Sequence, residues 1–398
     1  IFSKVHELIQ KGLMLSSGTI GIGGIAASVS KMCFGNRLGF TFEKGYKEKD
    51  LFTPEYGSII LELDSTQDLD KIFGDMVYEM VGTTESNEYI SINETRIKLE
   101  EALTAWKAPL ERVFATHTED NNDEPQNIYY NNAKTVKSSV RVARPKVFIP
   151  VFPGTNCEYD TARAFEKAGG EPSFHVFRNI TPSDIEASIR EMVKLIDGTQ
   201  IIVLPGGFSS GDEPAGSGKF IATVFRNPRV REAVTKFLQE KDGLILGICN
   251  GFQALIKLGL LPYGEIRDMD ESSPTLTFNK IGRHVSCMVR TKVVSSLSPW
   301  LSKSEVGDIH TIAVSHGEGR FAASSDMMTQ LIKNGQVATQ YVDFNPNGSV
   351  EAVEGITSPD GRIFGKMGHS ERTGVNICKN VPGDKEQLIF KAGVEYFS

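Results

Sequence analysis

The chain has 398 residues, 40% of them hydrophobic and 23% charged, with 38 glycines, enough for two or three domains with substantial cores. A net charge of −7 offers no basic footprint for nucleic acid or an anionic membrane surface, and no apolar run approaches the length of a membrane span. The five cysteines, Cys33, Cys157, Cys249, Cys287 and Cys378, are scattered, odd in number and without CxxC spacing, which argues against a disulfide framework or a cysteine-only zinc site and for a reducing cytoplasm.

The first residue is Ile1, and neither a secretory signal nor a transit peptide follows it. The expectation is a C-terminal piece of a longer protein. Residues 1–115 mix helical and strand patterns. "VHELIQKGLML" has helical spacing, and "GTIGIGGIAASVSKMCFG" is a glycine turn leading into a small-residue helix. "YGSIILELD" reads as a strand, and "STQDLDKIFGDM" as a helix behind a Ser/Thr cap. "TRIKLEEALTAWKAPLERVF" reads as an amphipathic helix. The glycine run has the look of a dinucleotide loop but lacks the βαβ context, so a structural turn is expected. Residues 115–139 are polar and aperiodic, a linker or surface excursion.

From Arg144 the pattern becomes regular. "KVFIPVFPG", "EPSFHVF", "QIIVLPGGF" and "LILGI" are short apolar strands. "EYDTARAFEKAGG", "TPSDIEASIREMVKLIDG" and "NPRVREAVTKFLQEKDG" are helices between them, with Thr-Pro opening the second and glycine closing each. The alternation implies a mostly parallel sheet with helices on both faces. After Gly264 the strands turn β-rich, as in "RHVSCMVRTKVV", "QVATQYV" and "GRIFGKMG". The organisation expected is an α+β piece at 1–115, a linker at 116–143 and an α/β domain at 144–398.

"LILGICNGFQALIKLG" places Cys249 between a buried strand and a short helix, at the carboxyl edge of a parallel sheet, where open α/β sheets bind ligands. Gly247-Ile248-Cys249-Asn250-Gly251 has the form of a nucleophile elbow. Flanking glycines relieve crowding at such a turn, and the helix N-terminus favours a thiolate. From these five residues alone, a small buried thiol and a nucleophile fit equally well. A nucleophile also needs a base, a group to orient it and an oxyanion hole.

Seven histidines are available. His6 and His117 lie outside the α/β region, His175 falls inside a strand pattern, and His284 and His310 have no supporting context. His316 lies on a glycine-flanked turn in "AVSHGEGR". His369, in "FGKMGHSER", follows a strand and has Glu371 two residues on, so both side chains can lie on one side of an extended backbone. The carboxylate can then hold the imidazole tautomer. Oxyanion donors are expected from "LPGGFSSGDEPAGSG", where Pro205, Gly206 and Gly207 make a turn and glycines continue at Gly211, Gly216 and Gly218.

Together "IPVFPGTNCEYDTARAFEKAG", "LPGGFSSGD", "LGICNGFQALIKLGLLP", "IAVSHGEGR" and "MGHSER" resemble the glutaminase domain of the phosphoribosylformylglycinamidine synthase family, a triad-type (class I) glutamine amidotransferase of flavodoxin-like fold. The resemblance covers about residues 144–380. "GGIAASVSKMCFGNRLGF" and "LFTPEYGSIILELD" are similar, more weakly, to the end of the same family's synthase portion.

The resemblance implies a role for each matching residue. Cys249 would attack glutamine to form a γ-glutamyl thioester, His369 would shuttle protons and Glu371 would orient it. Backbone N–H groups at Gly207, Phe208 and Asn250 would hold the oxyanion, and Gln253 and His316 would contact glutamine. No cofactor is implied in this chain. ATP and magnesium would serve a synthase site of the full-length protein, where ammonia converts formylglycinamide ribonucleotide to formylglycinamidine ribonucleotide. The partners implied are glutamine and the N-terminal synthase domains of the same longer chain, with no nucleic acid and no membrane.

Two departures stand out. The family usually has proline on both sides of the triad histidine, where this chain has Gly368 and Ser370, a change that bears on the stiffness of the loop. Where related synthase domains often have His-Asp, this chain has Gly18 and Thr19. Two other readings stay open: a triad amidotransferase feeding another acceptor, and a flavodoxin-like interaction domain whose cysteine is redox-sensing or inert.

Overall fold

The computed structural model describes residues 1–116, 118, 124–132, 137–208 and 217–398; of the positions named above, His117, Gly211 and Gly216 lie outside them. The chain forms two compact units, Ile1–Thr118 with Gly374–Pro382, and Glu119–Thr373 with Gly383–Ser398.

The first unit is α+β. Its elements are α1 (Phe2–Gln10), β1 (Met14–Thr19), α2 (Gly24–Asn36), β2 (Gly39–Phe42), α3 (Glu48–Phe52), β3 (Ile59–Leu63), α4 (Leu69–Phe73), β4 (Gly82–Glu85), β5 (Tyr89–Ile92), β6 (Thr95–Lys98) and α5 (Leu99–Glu111). β1 pairs antiparallel with β3, and a four-stranded sheet runs β4-β2-β5-β6. Ile20, Ile25, Val29, Cys33, Phe42, Leu51, Ile90 and Leu99 form the core. The glycine run serves close packing. A Cβ at Gly24 would lie 2.3 Å from Leu51 O, and Ser28 Oγ donates to Thr19 O at 3.0 Å.

Two helix expectations change here. The helix in "STQDLDKIFGDM" begins only after Asp68, which caps it. Asp64 captures the Thr66 N–H (2.9 Å) and hydroxyl (2.6 Å), a local turn that competes with helix. "TRIKLEEALTAWKAPLERVF" divides into β6 and α5, because Ile97 pairs across from Ile90 and Lys98 from Tyr89. Cross-strand pairing there outweighs helical periodicity.

The second unit is α/β. Its strands are β7 (Lys146–Val151), β8 (Glu171–Val176), β9 (Ile201–Leu204), β10 (Leu244–Ile248), β11 (Thr275–Phe278), β12 (Val285–Val293), β13 (Ile309–His316), β14 (Glu318–Ala322), β15 (Val337–Val342), β16 (Val353–Thr357) and β17 (Ile363–Lys366). Its helices are α6 (Glu158–Ala168), α7 (Pro182–Gly198), α8 (Lys219–Phe225), α9 (Pro228–Gln239), α10 (Asn250–Leu258), α11 (Leu260–Tyr263), α12 (Ser325–Lys333) and α13 (Ile389–Glu395).

One sheet runs β13-β12-β15-β16-β17-β10-β9-β7-β8. The block β17-β10-β9-β7-β8 is parallel, and β16, β15, β12 and β13 continue it antiparallel. Within the parallel block, the strands follow the flavodoxin-like order, second-first-third-fourth-fifth along the chain. β9 and β10 are buried along their whole length, which accounts for their unbroken apolar runs.

Part of the polar segment expected as a linker packs on this unit. Ile128 is buried, Tyr130 N–H donates to Val294 O at 2.8 Å, and Gln126 N–H donates to Glu351 Oε2 at 2.7 Å.

α7 opens on a reciprocal cap: Thr181 Oγ1 accepts the Asp184 N–H and Asp184 Oδ2 accepts the Thr181 N–H, both at 3.2 Å. Thr181→Ala should lower the unfolding free energy of the second unit by ~1 kcal/mol in urea titration; an unchanged transition would contradict the role of this cap.

Candidate active site

Cys249 follows β10 directly and caps α10, with φ 52° and ψ −105°, a conformation non-glycine residues avoid. The turn is enforced from both sides. Cys249 N–H donates to Lys366 O at 2.8 Å, and Cys249 O accepts the Gln253 N–H at 3.0 Å. The flanking glycines matter for space. A Cβ at Gly247 would lie 2.5 Å from Leu255 Cδ1, and one at Gly251 would lie 1.9 Å from Leu204 O. α10 therefore sits hard on β9 and β10, and Cys249 is at its N-terminal end. Cys249 is 4% exposed, and its Sγ lies 3.9 Å from Ser315 O at the end of β13.

His369 lies three residues beyond β17, and its N–H donates to Ala313 O at 2.8 Å. Its Nδ1 is 2.6 Å from Glu371 Oε1, so the His-x-Glu spacing does put both side chains on one side. Burial disfavours the imidazolium. The Glu371 carboxylate, followed by the neighbouring Cys157 and Cys249 sulfurs and the hydrogen bond to Glu371, outweighs it and holds His369 well above its ordinary value. Burial raises Glu371, but the His369 charge and hydrogen bond bring it below the usual carboxylate range. The pair is thus an imidazolium held against a carboxylate. A Cβ at Gly206 would lie 2.7 Å from His369 Cε1, so the Pro-Gly-Gly turn is also the wall behind the ring.

Sequence reasoning gave Cys157 no role. Its Sγ lies 4.0 Å from His369 Nδ1 and accepts from Arg372 Nη2 at 3.0 Å. The available signal was topological: Cys157 falls just past the carboxyl end of β7, at the same sheet edge as Cys249. Among the described residues, Cys157, His369 and Glu371 form a group whose donor atoms lie within 4.8 Å of one another and could hold a metal ion. In this structure Cys157 Sγ is taken by the Arg372 guanidinium at 3.0 Å, and His369 Nδ1 by Glu371 Oε1 at 2.6 Å.

The expected substrate contacts divide. Gly207 has φ 148°, and a Cβ there would lie 2.6 Å from Gly154 O. Phe208 is exposed, with its N–H donated to Gly154 O at 2.9 Å. Asn250 opens α10, and its Nδ2 donates to Gln253 Oε1 at 3.0 Å. Gln253 Nε2 donates to Glu318 O, so both ends of its amide are engaged within the protein.

His316 is 1% exposed at the end of β13. Asn279 Nδ2 donates to His316 O (2.8 Å) and Arg283 O (3.1 Å), so Asn279 Oδ1 accepts, from Gly319 N–H and His316 Nδ1, each at 3.1 Å. That leaves His316 Nε2 as a buried acceptor with no partner among the described residues. Burial, then the charges of His369 and His284, push His316 down to about 4.

Residues 144–397 match the family described as the CobB/CobQ-like glutamine amidotransferase domain. The chain belongs to this family. It is 34% identical over 236 residues to phosphoribosylformylglycinamidine synthase subunit PurQ of Prochlorococcus marinus (strain NATL2A), which spans 59% of this chain and 93% of that protein. It is also 34% identical over 248 residues to the PurQ subunit of Aquifex aeolicus (strain VF5), 60% of this chain and 95% of that one. The solved structure of PurLQS from Thermotoga maritima aligns at 28% identity and a TM-score of 0.49, over 64% of this chain and all of that one. No helix among the described residues is long and apolar enough to cross a membrane.

The unfolded chain protonates His316 near 6.5 while the folded protein refuses the proton until about 4, so this group makes stability fall as pH drops through that window. His316→Asn should lose roughly 2 kcal/mol less than wild type between pH 7.5 and 5 in denaturant titrations; equal losses would contradict a buried neutral His316.

Proposed function

We propose that this chain is the glutaminase portion of a phosphoribosylformylglycinamidine synthase, acting through a Cys249–His369–Glu371 triad. The observation that carries the reading is the buried 2.6 Å contact of His369 Nδ1 with Glu371 Oε1, beside a cysteine on a strained strand-to-helix turn. The Cys249 thiolate attacks the side-chain amide carbon of glutamine, and the carbonyl becomes an oxyanion. N–H groups of the first turn of α10, Asn250 among them, and of Gly207 receive that charge. The Phe208 N–H joins them only when its peptide releases Gly154 O.

His369 passes its proton to the nitrogen as the C–N bond breaks, and ammonia leaves a γ-glutamyl thioester on Cys249. His369 then takes a proton from water, the hydroxide adds to the thioester carbon, and the C–S bond breaks to release glutamate and the thiolate. Glu371 holds the tautomer and offsets the imidazolium charge throughout. With its amide engaged inside the protein, Gln253 acts as a strut beneath the site, while His316 Nε2 is an acceptor suited to a glutamine N–H.

The relatives' names support the acceptor: ammonia would serve ATP-dependent conversion of formylglycinamide ribonucleotide to formylglycinamidine ribonucleotide. The first unit would be the end of the synthase portion of the same longer chain, in the cytoplasm. ATP and magnesium would serve the synthase site of that portion, and Gly18 and Thr19 offer neither carboxylate nor imidazole to a metal ion there.

Cys249→Ala should abolish glutamate release from glutamine, and His369→Ala should lower kcat by ~10³-fold or more. Cys157→Ser should lower kcat by no more than about tenfold, far less than loss of a triad member. Activity surviving in Cys249→Ala, or lost equally in Cys157→Ser, would overturn the assignment. Glutamine-dependent product formation from formylglycinamide ribonucleotide by the synthase assembly is expected, and no turnover with that ribonucleotide would overturn the acceptor.

A further inference from the structure

Beneath the His369 loop lies a buried polar network that the reaction above does not use. Lys366, the last residue of β17, and Glu354, in β16, are both 0% exposed, with Nζ 3.3 Å from Oε1. Lys366 Nζ also donates to Gly368 O at 3.0 Å and to Ser370 Oγ at 2.8 Å. Glu354 Oε1 accepts the Gly368 N–H at 2.7 Å, and its Oε2 accepts from Thr339 Oγ1. Ser370 Oγ in turn donates to Gln387 Oε1 at 2.6 Å. Apart from the Thr339 hydroxyl, which holds Glu354 Oε2 from β15, these bonds converge on the residues before and after His369.

We propose that Lys366, Glu354 and Ser370 are positioning residues that fix the 367–371 loop so that the His369 ring stays between Cys249 and Glu371. The proposal rests on the triad reading. A buried ion pair contributes little net stability compared with well-packed apolar side chains, so the pair calls for another use. Residue 368 has no side chain with which to anchor itself, because a Cβ there would lie 2.1 Å from Ile312 Cδ1. A proline at 368 would lack the N–H that Glu354 accepts. Stiffness on both sides of His369 therefore comes from hydrogen bonds to buried charges, in a medium where such bonds are strong. Burial lowers Lys366 below its ordinary value, while the Glu354 and Glu371 carboxylates oppose that shift. The same ammonium thus feels both the network and the triad.

The test uses two variants of the full chain. Ser370→Ala removes one hydroxyl. The double variant Lys366→Met with Glu354→Gln removes both charges and strands neither. Each is checked for fold by circular dichroism and thermal midpoint, then inactivated with a glutamine-derived chloroketone. Inactivation is resolved into a saturating rate and a half-saturation concentration.

The saturating rate should fall ~10-fold in both variants, as for a misplaced reacting group, with half-saturation changed by less than about twofold. Ser370→Thr, which keeps the hydroxyl, should restore the rate. Wild-type saturating rates in both variants, or a loss that merely follows the fraction unfolded, would overturn the proposal. Absence of Cys249 labelling in the wild type would instead overturn the triad reading, and this inference with it.

Discussion

The site depends on one steric constraint, the contact of α10 with the strand beside it. Gly251 approaches Leu204 O so closely that a Cβ would stand 1.9 Å away, and Gly247 faces Leu255 and Gly251 across a gap with no room for one either. With the helix seated that low, the chain leaving β10 must turn within a single residue. That residue is Cys249, at φ 52°. The strain is offset by its backbone bonds to Lys366 and Gln253 and by the apolar packing of the two buried strands and the helix around it.

The parallel block then brings the other parts to the same edge. β10 lies between β9 and β17, so the turn after β9 and the loop after β17 flank the cysteine. Gly206 backs the imidazole and Ala313 of β13 holds its backbone. His369 and Glu371 are nearly fully buried, so their charges are weakly screened by solvent. An uncompensated charge there would be costly, and each member of the pair depends on the other.

Much of this was legible in the sequence. The apolar runs at Leu244–Ile248 and Ile201–Leu204 are continuous because both faces of those strands are buried. Glycines around Cys249 and the two-residue spacing of His369 and Glu371 carry local geometry, and local geometry is what a single sequence states best. Contacts between distant elements were less legible. Nothing local to Cys157 says that it will lie by His369, 212 residues away, or that Glu354 will reach the Gly368 N–H. The engaged amide of Gln253 was hidden for the same reason, since its partner is the carbonyl of Glu318. In the first unit, Asp64 and the β5–β6 pairing overrode helical periodicity, a competition that periodicity alone does not register.

In the proposed triad, Cys249 carries the acyl group during turnover. Acid-quenching the protein while it consumes glutamine, then digesting and weighing the peptides, tests this directly. A glutamyl adduct is expected on the peptide containing Cys249, lost on treatment with hydroxylamine. An adduct on the Cys157 peptide, or sustained turnover with no adduct on any cysteine, would contradict it.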